Sequence, residues 1–258
     1  MSHEILAFSF PKIGEAEKTI QDKFESSPDR SLAALADGAG SSLYPRQWAK
    51  ILVQAFCQSP EDPIAKLKQS YQEWLQPAQE EWRKYYLNKL RNPKRRWWQG
   101  GSQIKSHGSS TFIGLRLQTL NGSEQSQWQA VAVGDSCLFK LERVTQNLFA
   151  FPIKTSQAFK GTTQCFESLP EYPSFPPQFE EGWYMNGDIF LLATDALSQW
   201  LLTDYENQGE GWKEMFELKE QNEVFKVIDQ LRQQKLIKND DITGVLIKSP
   251  EIVTNCKD

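Results

Sequence analysis

Apolar residues along this chain fall into two rhythms. Short stretches that alternate or stay continuously apolar occupy Ser31–Ala36, Ser110–Leu117, Gln127–Val133, Cys137–Val144, Asp188–Ala193 and Asp241–Ile247, and predict strands. Longer stretches repeat at helical spacing. Tyr44–Gln58 carries Trp48, Ile51, Leu52, Ala55 and Phe56 on one face. Ile64–Leu90 carries Leu67, Tyr71, Trp74, Leu75, Trp82, Tyr85 and Tyr86, with a break expected near Pro77. Ala196–Tyr205 and Asn222–Leu236 predict two further helices, the second striped by Val224, Phe225, Val227, Ile228 and Leu231. Stripes of this kind face a core.

Two segments interrupt both rhythms and read as loops: NPKRRWWQGGSQ, and the proline-rich LPEYPSFPPQFEEGW. Antiparallel-looking strands mixed with paired helices predict an α+β layered domain. No GxGxxG follows a strand, so the dinucleotide-binding pattern is not suggested.

Composition narrows the chemistry. A 258-residue chain with 39% hydrophobic residues can bury a real core, and no apolar stretch approaches membrane-spanning length. The opening MSHEILAFSF lacks the basic and apolar regions of a leader, so a cytoplasmic protein is expected. Cys57, Cys137, Cys165 and Cys256 are scattered without a CxxC pair, and His3 and His107 are the only imidazoles. Neither a disulfide framework nor a zinc site is suggested, and any metal would be bound by oxygen. The net charge of −4 argues against a dedicated nucleic-acid binder.

One acidic pattern recurs. An aspartate follows or opens an apolar strand beside a small residue at Asp37 in LADGAG, Asp135 in AVGDSCLF, Asp195 in LLATDALSQ, and Asp240 with Asp241 in KNDDITGVLI. Each alone also reads as ordinary punctuation: a turn, a hairpin, a helix N-cap, a helix stop. Together they read differently, because clustered carboxylates at strand ends repel unless a cation neutralises them. Oxygen-only donors select hard ions, here magnesium or manganese.

The ordered set ADGAG, GSSTFIGLRL, VAVGDSCLFKL, GDIFLLATDAL and NDDITGVLI resembles the metal-dependent Ser/Thr protein phosphatases of the type 2C (PPM) family, bacterial type. The resemblance runs from about Gln21 to Ile247 and implies a four-layer α-β-β-α sandwich with two central antiparallel sheets. It implies one phosphatase domain over residues 1–258, with a core at about 21–248. It implies two Mn2+ or Mg2+ ions, with a third and weaker one, and hydrolysis of phosphoserine and phosphothreonine monoesters by a metal-bridging hydroxide. By the resemblance Asp37 bridges the ions, Gly38 offers its backbone carbonyl, Asp195 and Asp240 complete the first ion's ligands, Asp22 orders the second ion's shell, and Asp135 serves the third. Asp37, Asp195 and Asp240 are thus the expected catalytic set, with Gln21 and Asp241 behind them. Ser109, Ser110 and Thr111 match a strand start whose hydroxyls satisfy local backbone.

Departures from the family pattern bear on substrate binding. Ala39 stands where eukaryotic members have His, Cys137 replaces an Arg, Ala196 replaces a Gly, and no match to the flap is found between Leu141 and Gly187. No Arg precedes Asp22, leaving Lys12 or Lys18 as the phosphate-binding cation, each a point charge without the bidentate fork of Arg. These departures keep open an alternative, a non-catalytic pseudophosphatase that binds a phosphoprotein or another partner.

A last segment stands apart. Seven basic residues and no acidic one lie between Arg83 and Arg96, followed by Trp97 and Trp98. Arg95, Arg96, Trp97 and Trp98 are candidates for docking an acidic phosphoprotein, a partner domain or single-stranded nucleic acid, against the plainer reading of a solvated helix end and loop with the tryptophans folded back onto the core. Oligomeric state leaves no mark on the sequence.

Overall fold

The strand periodicity resolves into two five-stranded antiparallel sheets. The computed structural model describes residues 3–91, 106–119, 125–161 and 163–250. One sheet is built from β1 (Glu4–Phe10), β7 (Cys137–Leu141), β8 (Leu148–Phe151), β11 (Ile189–Ala193) and β12 (Ile242–Lys248), in the order β1-β12-β11-β7-β8. The other is built from β2 (Lys23–Ser26), β3 (Leu32–Ala36), β5 (Phe112–Gln118), β6 (Gln125–Val133) and β10 (Gln178–Met185), in the order β10-β6-β5-β3-β2. A short ladder pairs β4 (Ser109–Ser110) with β9 (Phe166–Glu167).

Alternation along each strand decides which layer a side chain joins. Ala33 and Leu35 of β3, Ile113 and Leu115 of β5, Phe190 and Leu192 of β11, and Val245 and Ile247 of β12 fill the space between the sheets. Their neighbours point the other way. Ala34, Ala36, Phe112 and Val131 pack under α1 (Pro45–Cys57) and α2 (Pro63–Leu90), against Trp48, Phe56 and Trp82. Phe139, Leu191, Ala193 and Leu246 pack under α3 (Asp195–Glu206), α4 (Gly211–Glu217) and α5 (Gln221–Gln233), with Leu197, Trp212 and Ile228. Three apolar layers between four layers of structure make the α-β-β-α sandwich that the motifs implied.

The elements differ from expectation at several points, among them the strand expected over Cys137–Val144, which ends at Leu141. The long helix departs from helical geometry at Ser70 (φ −159°, ψ 100°), not at Pro77, which the helix accommodates. Ser70 Oγ accepts the Glu73 N–H at 3.3 Å, so Ser70-x-x-Glu73 starts a new helical segment as a capping sequence does. The proline-rich loop ends early, because its second half, from Gln178, is strand β10. The stretch Ser110–Leu117 divides at Thr111, which lies between β4 and β5. β1, β2, β8, β9 and α4 add to the expected elements, β1 and β2 as edge strands. Among the described residues no helix is long and apolar enough to cross a membrane.

Candidate metal centre

Strand register gathers the acidic residues at one end of the sandwich. Lys23 pairs with Ala36, so Asp22, just ahead of β2, and Asp37, just after β3, leave their sheet side by side. In the other sheet Ala193 pairs with both Cys137 and Gly244, which brings Asp135, Asp195, Asp240 and Asp241 to one edge. Phe10 pairs with Ile242 and carries Lys12 to the same edge. A cavity of about 180 Å³ opens there, lined by Lys12, Gln21, Asp37, Gly38, Asp135, Asp195, Asp240 and Asp241, with Ala39, Gly40, Thr111, Thr163 and Cys165 completing its wall.

Local hydrogen bonds hold each acid in its place. The Asp37 backbone is clamped: its N–H donates to Thr111 Oγ1 at 3.2 Å, and its carbonyl accepts from Thr111 N at 2.9 Å and Ser110 Oγ at 2.7 Å. Ser110 and Thr111 thus satisfy backbone, as the sequence suggested, whereas the Ser109 hydroxyl donates to the Glu167 carboxylate. Gly38 bridges to Ser110, and a Cβ on it would lie 2.7 Å from the Pro45 carbonyl carbon. Only a glycine lets α1 begin so close to the site. Gly134 adopts φ +96° in the turn before Asp135, and Asp135 Oδ2 accepts from Thr163 Oγ1 at 2.9 Å. Thr194 joins the start of α3 to β12: its N–H donates to the Thr243 carbonyl at 3.1 Å, and its Oγ1 accepts the Thr243 N–H at 3.1 Å. Asp241 spends both oxygens on backbone, accepting the N–H of Lys12 at 3.1 Å and of Gln21 at 3.0 Å. It positions the wall of the cavity.

The electrostatics divide the cluster in two. Asp22 is buried, at 1% exposure, and no donor reaches either of its oxygens in hydrogen-bond geometry, although the Asp37 carboxyl and Thr243 hydroxyl lie near. Burial pushes the Asp22 carboxyl up to about 7, against an ordinary value of 3.8. Burial, then the charges of Asp22 and Asp195, lifts Asp37 well above the usual range, and burial with Asp195 raises Asp135. Asp240 goes the other way. Burial alone would raise it, but Lys12 at 3.0 Å and Lys238 at 3.1 Å hold it low. Lys238 Nζ also lies 3.0 Å from Asp195 Oδ2.

The donor set tests well against a hard divalent cation. A buried carboxylate with two orphaned oxygens, set beside a second carboxyl that its charge destabilises, is an electrostatic deficit that a cation repairs. Among the described residues, however, no three Asp, Glu, His or Cys side chains close round a single point. Lys12 and Lys238 both pair with Asp240, and Lys238 pairs with Asp195 as well.

Of the residues singled out from sequence, Gln21, Asp37, Gly38, Asp135, Asp195, Asp240, Asp241 and Lys12 meet at the cavity, whereas Asp22 lies buried beside Asp37, outside the cavity lining. Lys18 does not join them. It is exposed on the short turn Glu17–Thr19, where its carbonyl accepts from Arg46 Nη1 at 2.8 Å. Arg95, Arg96, Trp97 and Trp98 lie outside the described residues. Sequence reasoning missed Lys238 and Thr163, whose roles depend on contacts that only the folded chain makes.

Comparison with known proteins decides the family. The family model described as protein phosphatase 2C matches residues 15–237. The chain belongs to the protein phosphatase 2C family. It is, on that membership, a protein serine/threonine phosphatase, and metal dependence is general to such phosphatases. No match is found among curated proteins. The solved structures similar to this phosphatase include PppA, a regulatory component of the type VI secretion system in Pseudomonas aeruginosa, with 16% identity, 96% of this chain and 98% of that one covered, and a TM-score of 0.62. The Mycobacterium tuberculosis phosphatase PstP aligns with 15% identity over 97% of this chain and 100% of its own, at a TM-score of 0.63. The PstP catalytic domain in complex with two manganese ions aligns with 16% identity, 96% and 99% coverage, and a TM-score of 0.62. At these identities the structures establish a shared fold.

Proposed function

We propose that this phosphatase hydrolyses phosphoserine and phosphothreonine monoesters of phosphoproteins at the carboxylate-lined cavity, with Mn2+ or Mg2+ held there. The observation that carries the reading is Asp22, a buried carboxylate with no donor to either oxygen, set beside Asp37. Asp22, Asp37 and the Gly38 carbonyl would hold ions on one side, Asp195 and Asp240 on the other, and Asp135 a weaker one at the rim; the two manganese ions of the PstP complex support two as the basic number. When bound, such ions acidify a water and draw charge from phosphate oxygens.

The chain's own groups do the positioning. Asp37, with its backbone fixed by Ser110 and Thr111, lines the cavity. Asp241 ties the Lys12 and Gln21 backbones to the start of β12, which keeps Lys12 on the cavity wall as the cation for a phosphate oxygen. No histidine activates a protein nucleophile here. His3 hydrogen-bonds Tyr184 at 3.2 Å and His107 pairs with Glu167 at 3.0 Å, both away from the cavity lining. The proposed reaction is direct transfer to water, with no phosphorylated protein intermediate. Cys57 and Cys137 are buried free thiols, which suits the reducing cytoplasm to which we assign the activity.

Substrate class is tested by turnover with Mn2+ on phosphoserine, phosphothreonine and phosphotyrosine peptides and on sugar phosphates. Faster release of phosphate from the first two is expected. Preference for sugar phosphates would overturn the phosphoprotein assignment.

A further inference from the structure

The loop between α5 and β12 delivers a lysine into the carboxylate cluster. Lys238 keeps 55% of its side chain exposed, yet its Nζ ends 3.0 Å from Asp195 Oδ2 and 3.1 Å from Asp240 Oδ2. These two acids come from different elements, one opening α3 and the other preceding β12, so one ammonium spans two parts of the fold. The loop itself is braced on both sides of Lys238. Ile237 is buried, and Arg232 Nη2 donates to the Asp240 carbonyl at 2.9 Å and to the Pro11 carbonyl at 2.8 Å. From that braced backbone the four-carbon stem of Lys238 carries its ammonium to the two acids.

The result is an asymmetric site. Asp240 has an ammonium on each oxygen, Lys12 on Oδ1 and Lys238 on Oδ2, and Asp195 has one on Oδ2. At the other side Asp22 has no donor in hydrogen-bond geometry. An ammonium donates and never accepts, so its contact with these oxygens is charge neutralisation of the kind a divalent ion would supply. A divalent ion and Lys238 cannot use the same lone pairs together.

We propose that Lys238 is an internal cation that competes with a divalent ion for Asp195 and Asp240, so that ion binding at this pair requires the lysine to swing out. This rests on the reading of Asp195 and Asp240 as metal-binding carboxylates. It follows that the Asp22–Asp37 side loads first and the Asp195–Asp240 side loads more weakly. It follows too that the metal-free chain depends on Lys238 for stability while the loaded chain does not.

The test uses the full chain stripped of metal, as wild type, Lys238→Met and Lys238→Arg. Mn2+ binding is followed by calorimetry and by the electron paramagnetic resonance of free Mn2+, and melting temperature is recorded in EDTA and in saturating Mn2+. Removing two half-exposed charge-assisted contacts should tighten the weaker class of Mn2+ sites about tenfold in Lys238→Met. The same variant should melt lower than wild type in EDTA and level with it in Mn2+, whereas Lys238→Arg should keep the weak binding. Mn2+ affinity that is equal or lower in Lys238→Met overturns the competition alone. Absence of Mn2+ binding in every chain overturns the metal reading beneath it and this inference together.

Discussion

Replacing Asp22 by Asn should make the metal-free phosphatase more stable at alkaline pH and less responsive to metal. Burial raises the Asp22 carboxyl from an ordinary 3.8 to about 7, so between those values the folded chain binds more protons than the unfolded one. Stability therefore falls as pH climbs through this window and levels off above it. The gap corresponds to about 4 kcal/mol once Asp22 is ionised. Asn removes that cost but leaves a buried amide with no partner, which takes back about 1–3 kcal/mol. In EDTA at about pH 8 the variant should exceed wild type by about 1–3 kcal/mol, and at about pH 5, where Asp22 is protonated in the folded chain, the advantage should vanish or reverse. Urea unfolding followed by tryptophan fluorescence gives both numbers, and Mn2+ should stabilise wild type more than Asp22→Asn. Parallel pH profiles for the two chains would refute the argument that Asp22 is a buried charge in need of a cation.

Two further outcomes follow from the geometry. Lys12→Ala removes the cavity-wall ammonium and one of the two on Asp240, and should raise KM for a phosphopeptide about tenfold or more while leaving the fold intact; steady-state kinetics and a melting curve check both parts. Gly114→Ala should destabilise the fold by about 1–3 kcal/mol, because a Cβ there would sit 2.7 Å from the buried ring of Phe56; urea unfolding measures the loss.

How much of this was legible in the sequence depends on whether the signal is local. The apolar alternation of β3, β5, β11 and β12 is local and marks both of their faces, because each of these strands is covered by helices on one side and by the other sheet on the other. β10 is an edge strand whose start follows a run of prolines, and it has polar or exposed residues along most of its length, so its pattern is weak. The break in α2 went to Ser70 because a side-chain cap outweighed a proline that the helix tolerates. The acidic residues were visible because each sits at a strand end beside a small residue, and register does the rest. Lys238 was not visible. A lysine two positions before Asp240 reads as solvated surface, and only the folding of α3 against β12 brings Asp195 within its reach. Lys18 shows the converse, an exposed lysine in a plausible position that does not line the cavity.

The measurement that bears most directly on the central claim is hydrolysis of p-nitrophenyl phosphate by the purified chain in Mn2+, in Mg2+ and in EDTA, beside Asp37→Ala. The account predicts turnover that needs a divalent ion, stops in EDTA and falls by about a thousandfold or more in the folded variant. Turnover that persists in EDTA, or that survives the loss of Asp37, would contradict it, as would a folded wild-type chain that stays inactive with every ion.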